Sequence, residues 1–174
     1  PTAVCNVNVF NLGPSRSVDA SLPLLDAVPF GSNHISLICE FSQEMYKYSS
    51  GYTIVPGPTV AIAVKNTSIT VMSSQAYQSH RGGGGDDPSL KWVVNALSAQ
   101  LKLNNFPLSP TVGVAVVHVN NRAATENKGR LIVPYMKELK QWLADQPIAI
   151  VAGDFNQAVM PREATSSSEF GAVG

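Results

Sequence analysis

Four places in the sequence set short polar side chains inside, or at the end of, an apolar run. They are Asn6 and Asn8, Glu40 with Glu44 a turn further on, His118 with Asn120, and Asp154 with Asn156. Carboxylates and amides offer hard oxygens, and a cation such as Mg²⁺ needs only one or two carboxylates because it keeps several waters. A Glu and an Asp delivered from separate segments therefore make a metal site. An imidazole and amides beside it can hold a phosphate oxygen or an attacking water. None of these groups has a partner nearby in sequence, so the fold has to assemble them. A lone strand-end Glu is ordinarily solvated and a lone turn Asn ordinarily bonds its own backbone, so the residues count as a site only together. Asp154 stands apart: Gly153-Asp154-Phe155-Asn156 directly follows the apolar run Ile148–Ala152, and a Gly there permits close backbone approach.

The segments that must position these groups read mostly as strands. Ala3–Phe10 alternates with period two and stops at the turn Asn11-Leu12-Gly13-Pro14. Ser17 to Val28 reads as a short, Pro-interrupted helix, and Ile35–Cys39 as a strand ending at Glu40. A polar, aromatic loop leads to Val60–Val64, an apolar run suited to a strand buried on both faces. Ile69–Met72 reads as the next strand. His80–Pro88, with four consecutive glycines, is a surface loop from which His80 and Arg81 can reach a phosphate backbone. It lacks the Lys-Ser/Thr of a phosphate-binding P-loop. Trp92–Leu103 fits a long strand or a helix, and Val112 to Val119 a strand. Leu131, Tyr135, Leu139, Trp142 and Leu143 fall at helical spacing, with Pro134 in the first turn. After Asn156 the remaining residues are rich in Ser, Ala and Glu. The pattern predicts one domain over residues 1–157 and a flexible tail over 158–174.

At 174 residues the chain has the length of a single domain with one substantial core. Apolar residues make up 44% and charged residues 14%, which excludes a disordered chain and a coiled coil. Twelve basic residues balance twelve acidic ones, so any nucleic-acid surface must come from local clustering. No apolar run reaches the length of a membrane span and the start carries no basic-then-apolar leader. Cys5 and Cys39 sit inside apolar runs and read as buried reduced thiols, a lean toward an intracellular compartment.

In order and spacing these motifs resemble the endonuclease/exonuclease/phosphatase superfamily, which includes the pancreatic-type deoxyribonucleases. Ile150-Val151-Ala152-Gly153-Asp154-Phe155-Asn156 is similar to its strand-then-GDFN signature, and Cys5-Asn6-Val7-Asn8 to its opening strand. Ile35 through Glu40 resembles its Glu-bearing strand, and Val116-Val117-His118-Val119 the strand whose His holds the scissile phosphate. The resemblance implies a four-layered α/β sandwich and Mg²⁺- or Mn²⁺-dependent phosphodiester or phosphomonoester hydrolysis, with nucleic acid or another phosphodiester as substrate. It makes Glu40 the metal ligand, with Glu44 the alternative if the register slips. Asp154 would orient water, Asn156 and Asn6 (Asn8 in reserve) would hold phosphate or the neighbouring acid, and His118 would donate to a phosphate oxygen. The family continues past GDFN through two more strands to an Asp-His pair, whereas no His follows Asn156 here. That departure implies missing C-terminal strands and an open sheet edge, to be covered by a protein partner or by self-association. It also raises an alternative: a catalytically degenerate member of the fold that serves as a binding or assembly module. An unrelated phosphatase of the calcineurin-like kind would need downstream His and Asn ligands, and the tail has no His to supply.

Overall fold

A computed structural model describes residues 4–12, 34–41, 51–80, 92–121 and 132–156. They form β1 (Asn6–Asn11), β2 (His34–Cys39), β3 (Tyr52–Pro56), β4 (Val60–Lys65), β5 (Ile69–His80), β6 (Trp92–Leu103), β7 (Thr111–Val119), α1 (Val133–Ala144) and β8 (Ile150–Asp154). One sheet has the order β1-β2-β4-β3 and the other β5-β6-β7-β8. In each, a single pair at one edge is parallel, β1 with β2 and β7 with β8, and the other pairs are antiparallel. The edge strands β1 and β8 meet across the gap between the sheets, so both parallel pairs lie at the same side of the sandwich.

Period two explains how the sheets face each other. Ile35, Leu37 and Cys39 of β2 pack between the sheets with Val60, Ile62 and Val64 of β4, against Leu97, Ala99 and Leu101 of β6 and Val114 and Val116 of β7. The intervening residues of β2 and β4, Ile38, Ala61 and Ala63, pack on the outer face with Leu12 and Phe41. On the outer face of the second sheet, Ala96, Ala115, Val117 and Val119 receive Met136, Leu139 and Leu143 of α1. Leu139 and Leu143 belong to the stripe read from the sequence, Tyr135 and Trp142 of that stripe are partly buried beside them, and Met136 joins it. Leu131 lies outside the described residues, and Pro134 occupies the first turn of the helix. β2 and β4 are buried on both faces, as continuous apolar runs require.

Several elements differ from the sequence reading. β3 falls inside the segment read as a loop, because five residues between Gly51 and Gly57 on a sheet edge carry little apolar signal. β5 runs twelve residues, well past Met72. Its second half is polar because it is an exposed edge strand, and a bulge between Val71 and Ser73 resets which side chains face inward. Trp92–Leu103 is a strand paired on both sides, which resolves the choice between strand and helix. The helix expected from Ser17 to Val28, the Arg81–Pro88 part of the Gly-rich loop, Glu44 and the tail over 158–174 lie outside the described residues. Cys5 and Cys39 are free thiols. No helix among the described residues is long and apolar enough to cross a membrane.

Candidate active site

The inward-facing stripes end in polar residues at one rim of the sandwich. In β8 the sequence Ile150, Ala152, Asp154 continues one face, and in β7 Val114, Val116, His118 does the same. Register places His118 directly beside Asp154 and Asn95 of β6 directly beside His118, with Gln78 of β5 next in line. A single cross-strand row, Gln78–Asn95–His118–Asp154, therefore crosses the whole sheet. The other sheet contributes from the ends of its parallel pair, where Asn11 is registered with Cys39 and Glu40 follows. One ligand atom from each of Glu40, His118 and Asp154 lies within 4.8 Å of the others.

Close backbone approach makes this possible at β8. A Cβ on Gly153, which sits at φ +150°, would stand 1.9 Å from the Val117 carbonyl oxygen. Only glycine fits, which explains that residue of the GDFN segment. Asp154 is then held from two sides: Asn11 Nδ2 donates to one carboxylate oxygen, and the Asn156 backbone N–H donates to the other at 2.9 Å. Asn156 spends its side-chain amide on the Val119 carbonyl, 2.7 Å away, which fixes the turn after β8.

Strain collects here. Non-glycine residues with positive φ include Glu40 at 58°, Thr59 at 58° and Asn156 at 48°. Such conformations cost about 1–3 kcal/mol each for most residues and persist where surroundings over-determine them. Glu40 and Thr59 are stapled through the Phe41 N–H, which donates to the Thr59 carbonyl at 3.2 Å. Thr59 in turn reaches the site: its Oγ1 lies 3.0 Å from His118 Nδ1. Trp92 packs on the imidazole with ring centroids 5.0 Å apart.

The electrostatics follow from burial and crowding. Loss of solvent and the neighbouring Asp154 push the Glu40 carboxyl above its ordinary range, against a lowering hydrogen bond from Asn11. Burial pushes His118 down, opposed by the charge of Asp154. Glu40 Oε2 is buried and has no hydrogen-bond partner. Two carboxylates aimed at one space, one with an unsatisfied buried oxygen, suit a hard divalent cation. Cys39 lies beneath with its Sγ 3.4 Å from the Val117 carbonyl, and burial raises its thiol to about 11. A thiol so far from ionising is packing rather than ligand or nucleophile.

Of the residues singled out in the sequence, Glu40, His118, Asp154 and Asn156 come together. Asn6 does not. It begins β1, beside His34, at the opposite end of the strand from Asn11; five residues of strand place it about 16 Å away along the chain. Asn8 also misses the rim, and its Nδ2 is buried without a partner. The physical reason is period two. Cys5 and Val7 pack into the inter-sheet core, so the same face continues to Asn11, whereas Asn6 and Asn8 belong to the other face. Asn11 was hidden by its place in a turn-like Asn-Leu-Gly-Pro segment, and the continued alternation was the signal for it.

No protein-family model matches the chain, and no curated protein does. Solved structures do. D. rerio TDP2 complexed with single-strand DNA product superposes with a TM-score of 0.62 at 13% identity, over 92% of this chain and 62% of that one. A mannosyl-6-phosphatase from Bacteroides thetaiotaomicron gives 0.59 at 14% identity, over 93% and 68%. An endonuclease/exonuclease/phosphatase family protein from the same organism gives 0.58 at 13%, over 92% and 67%. The chain thus shares the α/β sandwich fold of these structures, and spans about two-thirds or less of their length.

Proposed function

We propose that this chain carries the metal-binding half of a divalent-cation-dependent phosphoester hydrolase, with a nucleic-acid phosphodiester as its substrate. The observation that carries the reading is the convergence of Glu40, His118 and Asp154 within 4.8 Å at the rim where both parallel strand pairs end. Glu40 and Asp154 would hold Mg²⁺ or Mn²⁺, and the unpartnered buried oxygen of Glu40 is the fit that supports it. When bound, such a cation supplies the charge that offsets developing negative charge on the phosphoryl and leaving oxygens. Asp154, fixed by Asn11 and the Asn156 N–H, is oriented to take a proton from an attacking water. His118 faces the same space as the partner for a phosphate oxygen. A nucleic-acid substrate is favoured by the likeness to the TDP2 structure, which holds a single-strand DNA product.

The test is direct. Purified chain in Mg²⁺ or Mn²⁺ nicks plasmid DNA or RNA, and Asp154→Ala abolishes the cut. Absence of cleavage under every divalent metal overturns the reading. The second reading is a degenerate member of the same fold that serves as a binding or assembly module. It predicts cation binding and self-association without turnover.

A further inference from the structure

We infer that Thr59 is a positioning residue that fixes the tautomer of His118, so that the imidazole meets a substrate oxygen as an Nε2–H donor and is not a cation ligand. This deepens the hydrolase reading and rests on it for its catalytic meaning, though not for its geometry.

The argument is a count of protons along one row. Gln78 Nε2 donates to Asn95 Oδ1 at 2.9 Å, which turns the other side of the Asn95 amide, Nδ2, toward Thr59. Asn95 Nδ2 donates to Thr59 Oγ1, also at 2.9 Å. Asn95 is fully buried, so its amide has no water to turn to. The Thr59 hydroxyl thus accepts from Asn95 and has one proton left to give. Its remaining neighbour on the row is His118 Nδ1, 3.0 Å away. A neutral imidazole that accepts at Nδ1 carries its proton on Nε2. That nitrogen is a donor, and a nitrogen that holds a proton cannot also bind a cation. Reversing the amides would reverse every polarity in the row, which makes the tautomer the deciding observable.

The strain at Thr59 supports the assignment. A β-branched residue at φ 58° is disfavoured in a three-residue connection where glycine or asparagine would sit more easily. Threonine in that conformation offers what those residues do not: a hydroxyl, able to accept and donate at once, aimed between Asn95 and His118.

The experiment reads the tautomer directly. Long-range ¹H–¹⁵N spectra of the histidine-labelled chain at about pH 8, where the ring is neutral, locate the proton, with His118→Asn assigning the signals. The native chain shows the proton on Nε2, Thr59→Ser keeps it there, and Thr59→Val, equal in shape and in backbone strain, loses the preference. With plasmid as substrate, Thr59→Val lowers kcat by about 10- to 100-fold with KM little changed, and Thr59→Ser restores most of it. A native ring protonated at Nδ1 overturns the inference, as does a Thr59→Val spectrum with the native tautomer. Because the spectra need no substrate, an inactive chain with the Nε2–H ring would sink the hydrolase reading alone, and an active chain with the other tautomer would sink this inference alone.

Discussion

Among the described residues two histidines are buried, one at each end of the sandwich. His34 opens β2 and is 1% exposed; His118 closes the inner stripe of β7 and is 6% exposed. His34 stacks on Tyr52 with ring centroids 5.3 Å apart, and the far side of that end is capped by Lys65, whose Nζ sits 4.7 Å from the Tyr52 ring centre. This is a packed aromatic and cationic corner. His118 is also stacked, on Trp92, but it faces Thr59 and two carboxylates. Burial alone therefore makes a histidine a core residue. What distinguishes the other end is that separate sheets deliver Glu40 and Asp154 beside it, at the C-terminal ends of the parallel pairs, where open sheets place ligands.

The sharpest way to break this contrast is to injure each end in turn. Asp154→Ala lowers hydrolysis by roughly 10³-fold, whereas His34→Phe changes the rate of the folded protein by less than about threefold. Equal losses in a plasmid-nicking assay would erase the distinction between the two ends. Glycines at the two ends give the next largest difference. Gly153→Ala drives a Cβ into the Val117 carbonyl and costs about 3 kcal/mol or more in denaturant unfolding. Gly51→Ala, at φ +81° but with only the Lys65 Nζ at 3.5 Å, costs about 1 kcal/mol.

The smallest effect concerns Glu40. Burial and Asp154 raise its folded-state pKa above that of the unfolded chain, so folding favours the protonated form. Its contribution is fully present below the ordinary carboxylate range and is lost as pH rises through the raised value. In chelator, the melting temperature of Glu40→Gln should equal or slightly exceed that of the native chain at pH 7, with the gap closing in acid. Saturating Mn²⁺ should reverse the order, since the native chain, with both proposed carboxylate ligands, gains more from the cation than the variant with Asp154 alone. A variant that gains as much from Mn²⁺ as the native chain would remove Glu40 from the proposed metal site.

Much of this was legible in the sequence for a simple reason. β2, β4 and β7 are apolar runs buried on one or both faces, β8 is a half-buried one, and Glu40 and Asp154 mark the ends of β2 and β8. β3 and the outer half of β5 were harder, because edge strands facing water carry polar residues that look like loop. Asn11 rather than Asn6 reaches the rim, and this was missed by reading a strand end as a turn: the alternation Cys5, Val7, Val9, Asn11 is present but runs one residue further than the apolar pattern. Thr59 and Asn95 were not legible at all. A threonine after Gly-Pro and an asparagine within Trp92–Leu103 acquire meaning only when strand register sets them beside His118.

Both strand pairs that converge on the rim are parallel, and a parallel neighbour cannot be reached by a tight hairpin. β3–β4, β5–β6 and β6–β7 can zip from adjacent stretches of chain, but Asn11 meets Asp154 only across 143 residues of sequence. Loop closure of that length is slow to recover its entropy. In refolding, the sheet signal should thus rise early and cation affinity late, so a nascent or partly folded chain would display β-structure while still unable to act.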